Sequence, residues 1–341
     1  MAETDYVTSL IVVSWILTGL VIVLTAARIL GRTLFIKQTG WDDVFMLLGC
    51  SAAVVCSTLA VVGASHGFGR HLKDIEDPND RIEAIKYTII APVLSIISST
   101  SSKISILIFL VRLVGVSTKK WQLYFLWGLT AILVSFNIVA IVVIVRFCDP
   151  PEKQWKPWVP GTCLNLKAQQ YIGFIQSGYN ALMDIIVAIF PALFITRLRI
   201  SSKMKVGLSV LMGGSVFGAA ATIVKIYLLR DLDKHSDITW YWAPIALWYT
   251  AEMDVIIIVG NIPTLWPLLR LVRRKKSRSE YDMVTSAGSC KHGSEGLQLA
   301  GSATRILQEV DNMRTCGTWN DERGQLDQTL TTENSTRKDS H

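Results

Sequence analysis

The sequence predicts an all-α membrane protein. It reads as a seven-transmembrane helix bundle with the N-terminus outside, the C-terminus cytoplasmic and a disordered C-terminal tail. Three observations predict it. Apolar runs long enough to cross a bilayer recur seven times. Charged residues make up only 18% of the 341 positions, against about 25% in soluble domains, and mean hydropathy is +0.38. Lysine and arginine gather in the gaps on one side of the runs, as they do in the cytoplasmic loops of membrane proteins.

A spanning helix needs about 20 mostly apolar residues, because the hydrocarbon core is about 30 Å thick and each residue rises 1.5 Å. Val7–Leu30, Asp43–Ser65, Tyr87–Leu113, Leu123–Val145, Tyr171–Thr196, Val206–Leu229 and Ala243–Leu269 meet that length. The runs are continuous rather than alternating, so they are helices and not barrel strands. No small-residue cleavage site follows the first run, which reads as a retained anchor. The resulting division is a short exterior N-terminus (1–6), a helical bundle (7–270) and a cytoplasmic tail (271–341).

Orientation comes from the basic residues. Arg32 and Lys37 follow the first span; Arg112, Lys119 and Lys120 close the third; Arg197, Arg199, Lys203 and Lys205 follow the fifth; Arg273–Arg278 (RRKKSR) follows the seventh. The opposite loops carry many acids, as in DIEDPNDRIE (74–83) and DLDKHSD (231–237). The formal charge of +7 is spread over these clusters, so nucleic acid is not an expected partner. The plasma membrane is the expected location.

Between spans four and five stands FCDPPEKQWKPWVPGTCL (147–164), with four of the ten prolines and two of the six cysteines. On this topology it is exterior, where a disulfide persists. Cys148 and Cys163 are the only cysteines expected on that side and are predicted to pair. Trp155 and Trp158 suit the headgroup layer. Cys50 and Cys56 lie within span two and read as small packing residues.

Several strings together resemble the fungal rhodopsin-domain integral membrane proteins. They are GWDDVFMLL (40–48), HGFGRH (66–71), KISILIFLVRL (103–113), the Cys148–Cys163 loop, the run from Asn180 to Tyr227, and AEMDVIIIVGNIPTLWPLLR (251–270). That group includes surface-sensing receptor-like proteins of plant-pathogenic fungi and membrane proteins of trichothecene and satratoxin biosynthesis clusters. The resemblance implies seven helices and a receptor-like fold. It implies no settled ligand. Span seven has no lysine to form a Schiff base, so no retinal and no other cofactor is expected.

Charges inside a bilayer are costly and face an interior or a cavity. Lys103, Asp184, Glu252, Asp254, Asn137 and Asn180 fall at comparable depths and predict an intramembrane polar network. Lys103–Asp184 is the preferred pair, with Glu252 as the alternative partner. Glu252 and Asp254 are two residues apart, about 200° around a helix, so at most one points straight at Lys103. Such a network is either a structural clasp or a ligand or ion site. Lys225, near the outer end of span six, is expected to snorkel. Asp42 and Asp43 open span two and are expected as helix caps, the other reading being a lock onto a neighbouring basic loop. His66, His71 and His235 match no zinc spacing. GGSVFGAAA (213–221) allows close helix packing, and Pro191, Pro244, Pro263 and Pro267 permit bends.

The tail is polar and expected to be mostly disordered. Its RRKKSR segment would bind anionic lipid, a contact that phosphorylation of Ser277 or Ser279 would weaken. ATRILQEVDNM (303–313) reads either as a short amphipathic helix or as solvated chain, and Asn334 opens a glycosylation sequon that would stay bare in the cytosol. No nucleophile–base pair, metal-ligand set or nucleotide fingerprint is visible, so an enzyme is not expected. A receptor-like sensor of a small or surface-derived ligand, signalling to a cytoplasmic protein, is the first reading. The alternatives are a transporter or an accessory membrane protein of a secondary-metabolite pathway.

Overall fold

The structure is a computed structural model and describes residues 6–36, 39–114, 120–156, 158–195, 202–231 and 237–291. Seven helices dominate: α1 (Tyr6–Gly31), α2 (Trp41–Ser65), α3 (Pro78–Val114), α4 (Lys120–Val145), α5 (Leu166–Ile195), α6 (Ser202–Asp231) and α7 (Ile238–Lys291). All seven are long and apolar enough to cross a membrane. The protein is therefore a multi-pass membrane protein that sits in the lipid bilayer.

Helix α1 runs on into a π-helical turn, Arg32–Ile36. Helix α3 begins nine residues before the predicted span, because Asp77 accepts the Asn79 N–H (2.9 Å) and Pro78 opens the helix without needing a donor. Helix α7 passes the predicted end of span seven and reaches Lys291. The first 21 residues of the tail expected to be mostly disordered, 271–291, thus continue α7. Residues 271–287 contain neither proline nor glycine, and extending an existing helix escapes the cost of nucleation. The chain divides into two units, 1–273 and 274–341, and of the second 274–291 are described. The 303–313 segment, Asn334 and His235 lie outside the described residues.

Helices α1 and α2, α2 and α3, α3 and α4, α4 and α5, and α5 and α6 are packed neighbours. The most enclosed spans are α3 and α7, with 56% and 67% of their central windows buried; α1 and α4 are the most peripheral, at 28% and 22%. What each helix turns inward is informative. The buried residues of α4 are Leu126, Thr130, Leu133, Asn137 and Ala140, and those of α1 include Ser14, Thr18, Thr25 and Arg28. Large apolar residues such as Trp15, Ile16, Val23, Ile138 and Val139 point outward. In lipid the outward face needs no polar groups, while polar side chains must find partners inside.

One end of the bundle carries the segment between α4 and α5. Two two-residue strands, β1 (Cys148–Asp149) and β2 (Thr162–Cys163), pair antiparallel. Cys148 and Cys163 form a disulfide across that ladder, as predicted. The Lys153 ammonium donates to the Gly161 carbonyl, and the Leu164 N–H to the Phe147 carbonyl at 2.8 Å. Trp158 is exposed and Trp155 half-buried. At the same end HGFGRH makes a tight turn with Gly67 at φ 100° and Gly69 at φ 96°, a backbone region that β-carbon-bearing residues avoid. The turn docks onto α7: Thr239 donates to the Arg70 carbonyl (3.0 Å), and His71 stacks on Trp240 at 4.2 Å.

Candidate functional site

The midsection of the bundle holds the predicted polar network. Lys103 of α3 places its Nζ 3.0 Å from Asp184 of α5. The same ammonium donates to Asn180 Oδ1 at 3.1 Å. Asn180 Nδ2 donates to Asn137 Oδ1 of α4 (3.0 Å), Gln176 Nε2 donates to that same oxygen (2.8 Å), and Asn137 Nδ2 donates to Thr100 Oγ1 of α3 (2.7 Å). Three helices are thus tied at one level. Gly218 of α6 stands against this site, where a β-carbon would come within 3.3 Å of Asp184. That contact accounts for one member of the small-residue run on α6.

Glu252 does not reach Lys103. Its partner is Lys225 of α6, at 2.7 Å. The snorkelling expected of Lys225 is corrected: its side chain is mostly covered and turns into the bundle toward α7. An ammonium one turn from a helix end reaches either water or an acid one turn deeper, and Glu252 supplies the acid. Asp254 leaves the network altogether. It lies on the other side of α7, toward α1 and α2, where Thr18 faces it.

A second cluster joins α1, α2, α3 and α7 at the end opposite the disulfide. Arg28 donates to Asp42 (2.8 Å), Asp43 (2.9 Å) and the Gly260 carbonyl (3.2 Å). Arg32 donates to Asp42 (2.6 Å) and Asp43 (2.8 Å), and the half-exposed Arg112 reaches Asp42 at 3.3 Å. Asp43 also accepts the Gly40 N–H at 3.2 Å, which is the cap expected of it. Capping is only the smaller part of what this pair does. Two buried arginines balance two buried aspartates, and that neutrality lets four charges leave water together. Gly260 permits the close approach: a β-carbon there would meet Ile106 of α3 at 2.9 Å.

Between α3, α4, α5, α6 and α7, toward the disulfide end, lies a cavity of about 170 Å³. Its walls are mainly apolar, with Pro92, Ile96, Val143, Ile172, Leu229 and Ile245 among them. A smaller void of about 20 Å³ continues from it and is bounded by Ser99, Asn180, Lys225, Tyr249 and Glu252. The void therefore lies against the Lys225–Glu252 pair and against Asn180, which accepts from Lys103. Ser99 Oγ, Tyr249 Oη and Trp242 Nε1 border these spaces and have no hydrogen-bond partner within the protein. Buried polar groups normally have one, so these three are available to a bound molecule.

Residues 27–271, from the α1 arginines to the end of the seventh span, match the fungal rhodopsin domain. The chain belongs to the fungal rhodopsin domain family. Among its relatives, Fugralins biosynthesis cluster protein 2 of Gibberella zeae is 24% identical over 83% of this chain and 73% of its own length. A SAT4 family membrane protein of Emericella nidulans is 21% identical over 67% of this chain and 54% of its own. Wortmanamides biosynthesis cluster protein C of Talaromyces wortmannii is 26% identical over 84% and 78%. No solved structure matches.

In this fungal rhodopsin domain the sequence placed Lys103, Asp184, Asn180 and Asn137 at one depth, and the structure brings them together. Sequence reasoning missed the buried roles of Arg28, Arg32, Lys225 and Tyr249. For Arg28 a signal existed: it lies within the first apolar run, two residues before its end, and two consecutive acids open the next span.

Proposed function

We propose that the protein is a receptor-like membrane sensor whose cavity at the disulfide end takes a small, neutral, mainly apolar molecule. The observation that carries this reading is the cavity's composition: apolar walls above a floor where Lys225 and Glu252 cancel and Tyr249 Oη lacks a partner. The volume, about 170 Å³, is comparable to the ~150 Å³ cavity that holds benzene. A ring-sized body with a carbonyl, ether or hydroxyl oxygen fits the walls and accepts from Tyr249 or Trp242. A charged ligand would upset a floor already balanced.

The floor is formed by Lys225 and Glu252 of α6 and α7 and by Asn180 of α5, which in turn accepts from Lys103 of α3. A ligand oxygen that competes for Lys225 would shift the spacing of α6 and α7, a two-state element that a cytoplasmic protein reads at the far end. In this reading the disulfide end faces outward across the plasma membrane, the basic end faces the cytosol, and the protein binds without catalysing a reaction. The names of the Gibberella and Talaromyces relatives support a second reading, in which the bound molecule is a secondary metabolite and the protein is an accessory or transporter of its pathway.

The test uses the full chain in lipid nanodiscs and a panel of neutral apolar metabolites of the producing fungus, read by thermal shift. Ala140→Phe, which fills the cavity from α4, abolishes every shift on this reading. Shifts that survive Ala140→Phe place the ligand elsewhere. Ligand-dependent recruitment of a cytosolic protein supports sensing, whereas flux of the same compound across vesicles supports transport.

A further inference from the structure

Among the described residues five acids are buried: Asp42, Asp43, Asp184, Glu252 and Asp254. The first four are in ion pairs. Asp254 is the exception. It is 0% exposed and in no ion pair among the described residues, and the Thr18 hydroxyl is the one side chain that reaches its carboxylate. An isolated carboxylate in a dry, low-dielectric interior is untenable, so something must answer its charge.

The surroundings show what. Helices α1 and α7 run parallel and in fixed register: Asn261 Nδ2 donates to Thr25 Oγ1 at 3.0 Å across 236 positions. Thr18 faces Asp254 at that same separation. One turn nearer the disulfide end, the register sets Thr250 level with Ser14. Both hydroxyls are 1% exposed and both lack a partner. From α2, Ser57 accepts the Thr18 hydroxyl proton at 2.7 Å, which leaves the Thr18 oxygen lone pairs free. Thr18 and Ser57 thus meet at Asp254's side of α7, and the register sets the hydroxyls of Ser14 and Thr250 one turn away.

We infer that this pocket binds a monovalent alkali cation between α1, α2 and α7. The donors are all hard oxygens, the set that alkali and alkaline-earth ions prefer. Charge balance selects the valence: one carboxylate and one monovalent ion leave the core neutral, whereas a divalent ion would leave it positive. A proton on Asp254 would also neutralise it. That proton would be donated to the Thr18 oxygen, but Ser14 and Thr250 would still lack partners. The other titratable groups beside the site are the Cys50 and Cys56 thiols of α2 and the Tyr249 hydroxyl of α7. None brings positive charge. Arg28 lies ten residues along α1, about 15 Å away, and is committed to Asp42 and Asp43.

The experiment is thermal unfolding of the full chain in nanodiscs of uncharged lipid, with sodium chloride exchanged for choline chloride at constant ionic strength. Potassium chloride forms a second series. Above half-saturation each tenfold rise in the ion stabilises the folded state by a further 1.4 kcal/mol or about that, so the wild-type midpoint climbs steadily with sodium or potassium. Asp254→Asn removes the climb. Ser14→Ala, which keeps the carboxylate, moves the half-saturation point to higher ion concentration. Broadening of the sodium-23 resonance by wild type, absent with Asp254→Asn, reads the same site without unfolding. Three outcomes overturn the inference: equal midpoints in alkali and choline salts; an alkali response that persists in Asp254→Asn; or a wild-type midpoint that follows pH instead of alkali ion, which assigns the site to a proton.

Discussion

Replacing Lys103 with methionine should destabilise the bundle by about 3–5 kcal/mol, and neutralising its partner should restore most of that loss. The cost comes from what is left behind. Lys103 is 4% exposed and Asp184 2%, so the variant strands a carboxylate where water cannot reach it. Breaking a buried pair from one side costs about 3–5 kcal/mol for that reason. The ammonium's hydrogen bond to Asn180 is lost as well. Lys103→Met/Asp184→Leu removes both charges and fills the space with apolar side chains of similar size. Such swaps are often neutral or stabilising, so the double variant should unfold within about 1 kcal/mol of wild type. The four proteins of the cycle are to be unfolded in mixed micelles of increasing denaturing detergent, followed by tryptophan fluorescence. A coupling free energy above about 2 kcal/mol is expected, within the range seen for residues in direct contact. Additivity within about 0.5 kcal/mol would refute the view that the two charges answer each other. The double variant has a second use. If it folds but no longer responds to a cavity ligand, the pair transmits a signal as well as joining helices.

Three further outcomes are expected. Cys148→Ser/Cys163→Ser should lose about 3 kcal/mol, because the bridge closes a 15-residue separation, and limited proteolysis should then cut within 149–162 where the parent resists. Arg28→Met should cost several times more than Arg112→Ala in the same detergent titration, since Arg28 is fully buried between two aspartates whereas the Arg112 side chain is 55% exposed and exposed pairs contribute about 0–1 kcal/mol. Tyr249→Phe should leave stability unchanged or slightly higher, because it removes a buried hydroxyl without a partner, and should weaken binding of an oxygen-bearing ligand tenfold or more in the thermal-shift titration.

What the sequence discloses in this protein is depth. Rise per residue converts position in an apolar run into distance through the bilayer, and that alone aligned Lys103, Asp184, Asn180 and Asn137. The seven spans were legible for the same reason, and the disulfide because only two cysteines fell on one predicted face. Azimuth was not legible. In a soluble helix an apolar stripe marks the buried side, but α4 is apolar on nearly every side and carries no such stripe. Lys225 and Glu252 were therefore assigned by depth to different environments, when the rotation of α6 and α7 turns them toward each other. Asp254 was grouped with Lys103 at equal depth, although it sits on the opposite side of its helix.

The missing azimuth can be recovered by inverting the soluble rule. In α1 the buried positions Ser14, Thr18, Thr25 and Arg28 fall on one face at helical spacing, and in α4 Thr130 and Asn137 do the same. Lipid makes an outward hydroxyl or charge the costly choice, so polar residues at spacings of three, four, seven or eleven mark the inward side. Applied to α7, the rule gives two inward sides. Glu252 points one way; Thr250, Asp254 and Asn261 point the other. A helix with polar residues on both sides has protein on both sides, which is why α7 is the most enclosed span of the seven. That position makes α7 the one helix in contact with both the cavity floor and the Asp254 pocket. Glu252 and Asp254 are two residues apart on a single rigid backbone, so a rotation of α7 that loosens one must move the other. Were both proposed sites occupied, that shared backbone would be the route of any coupling between them.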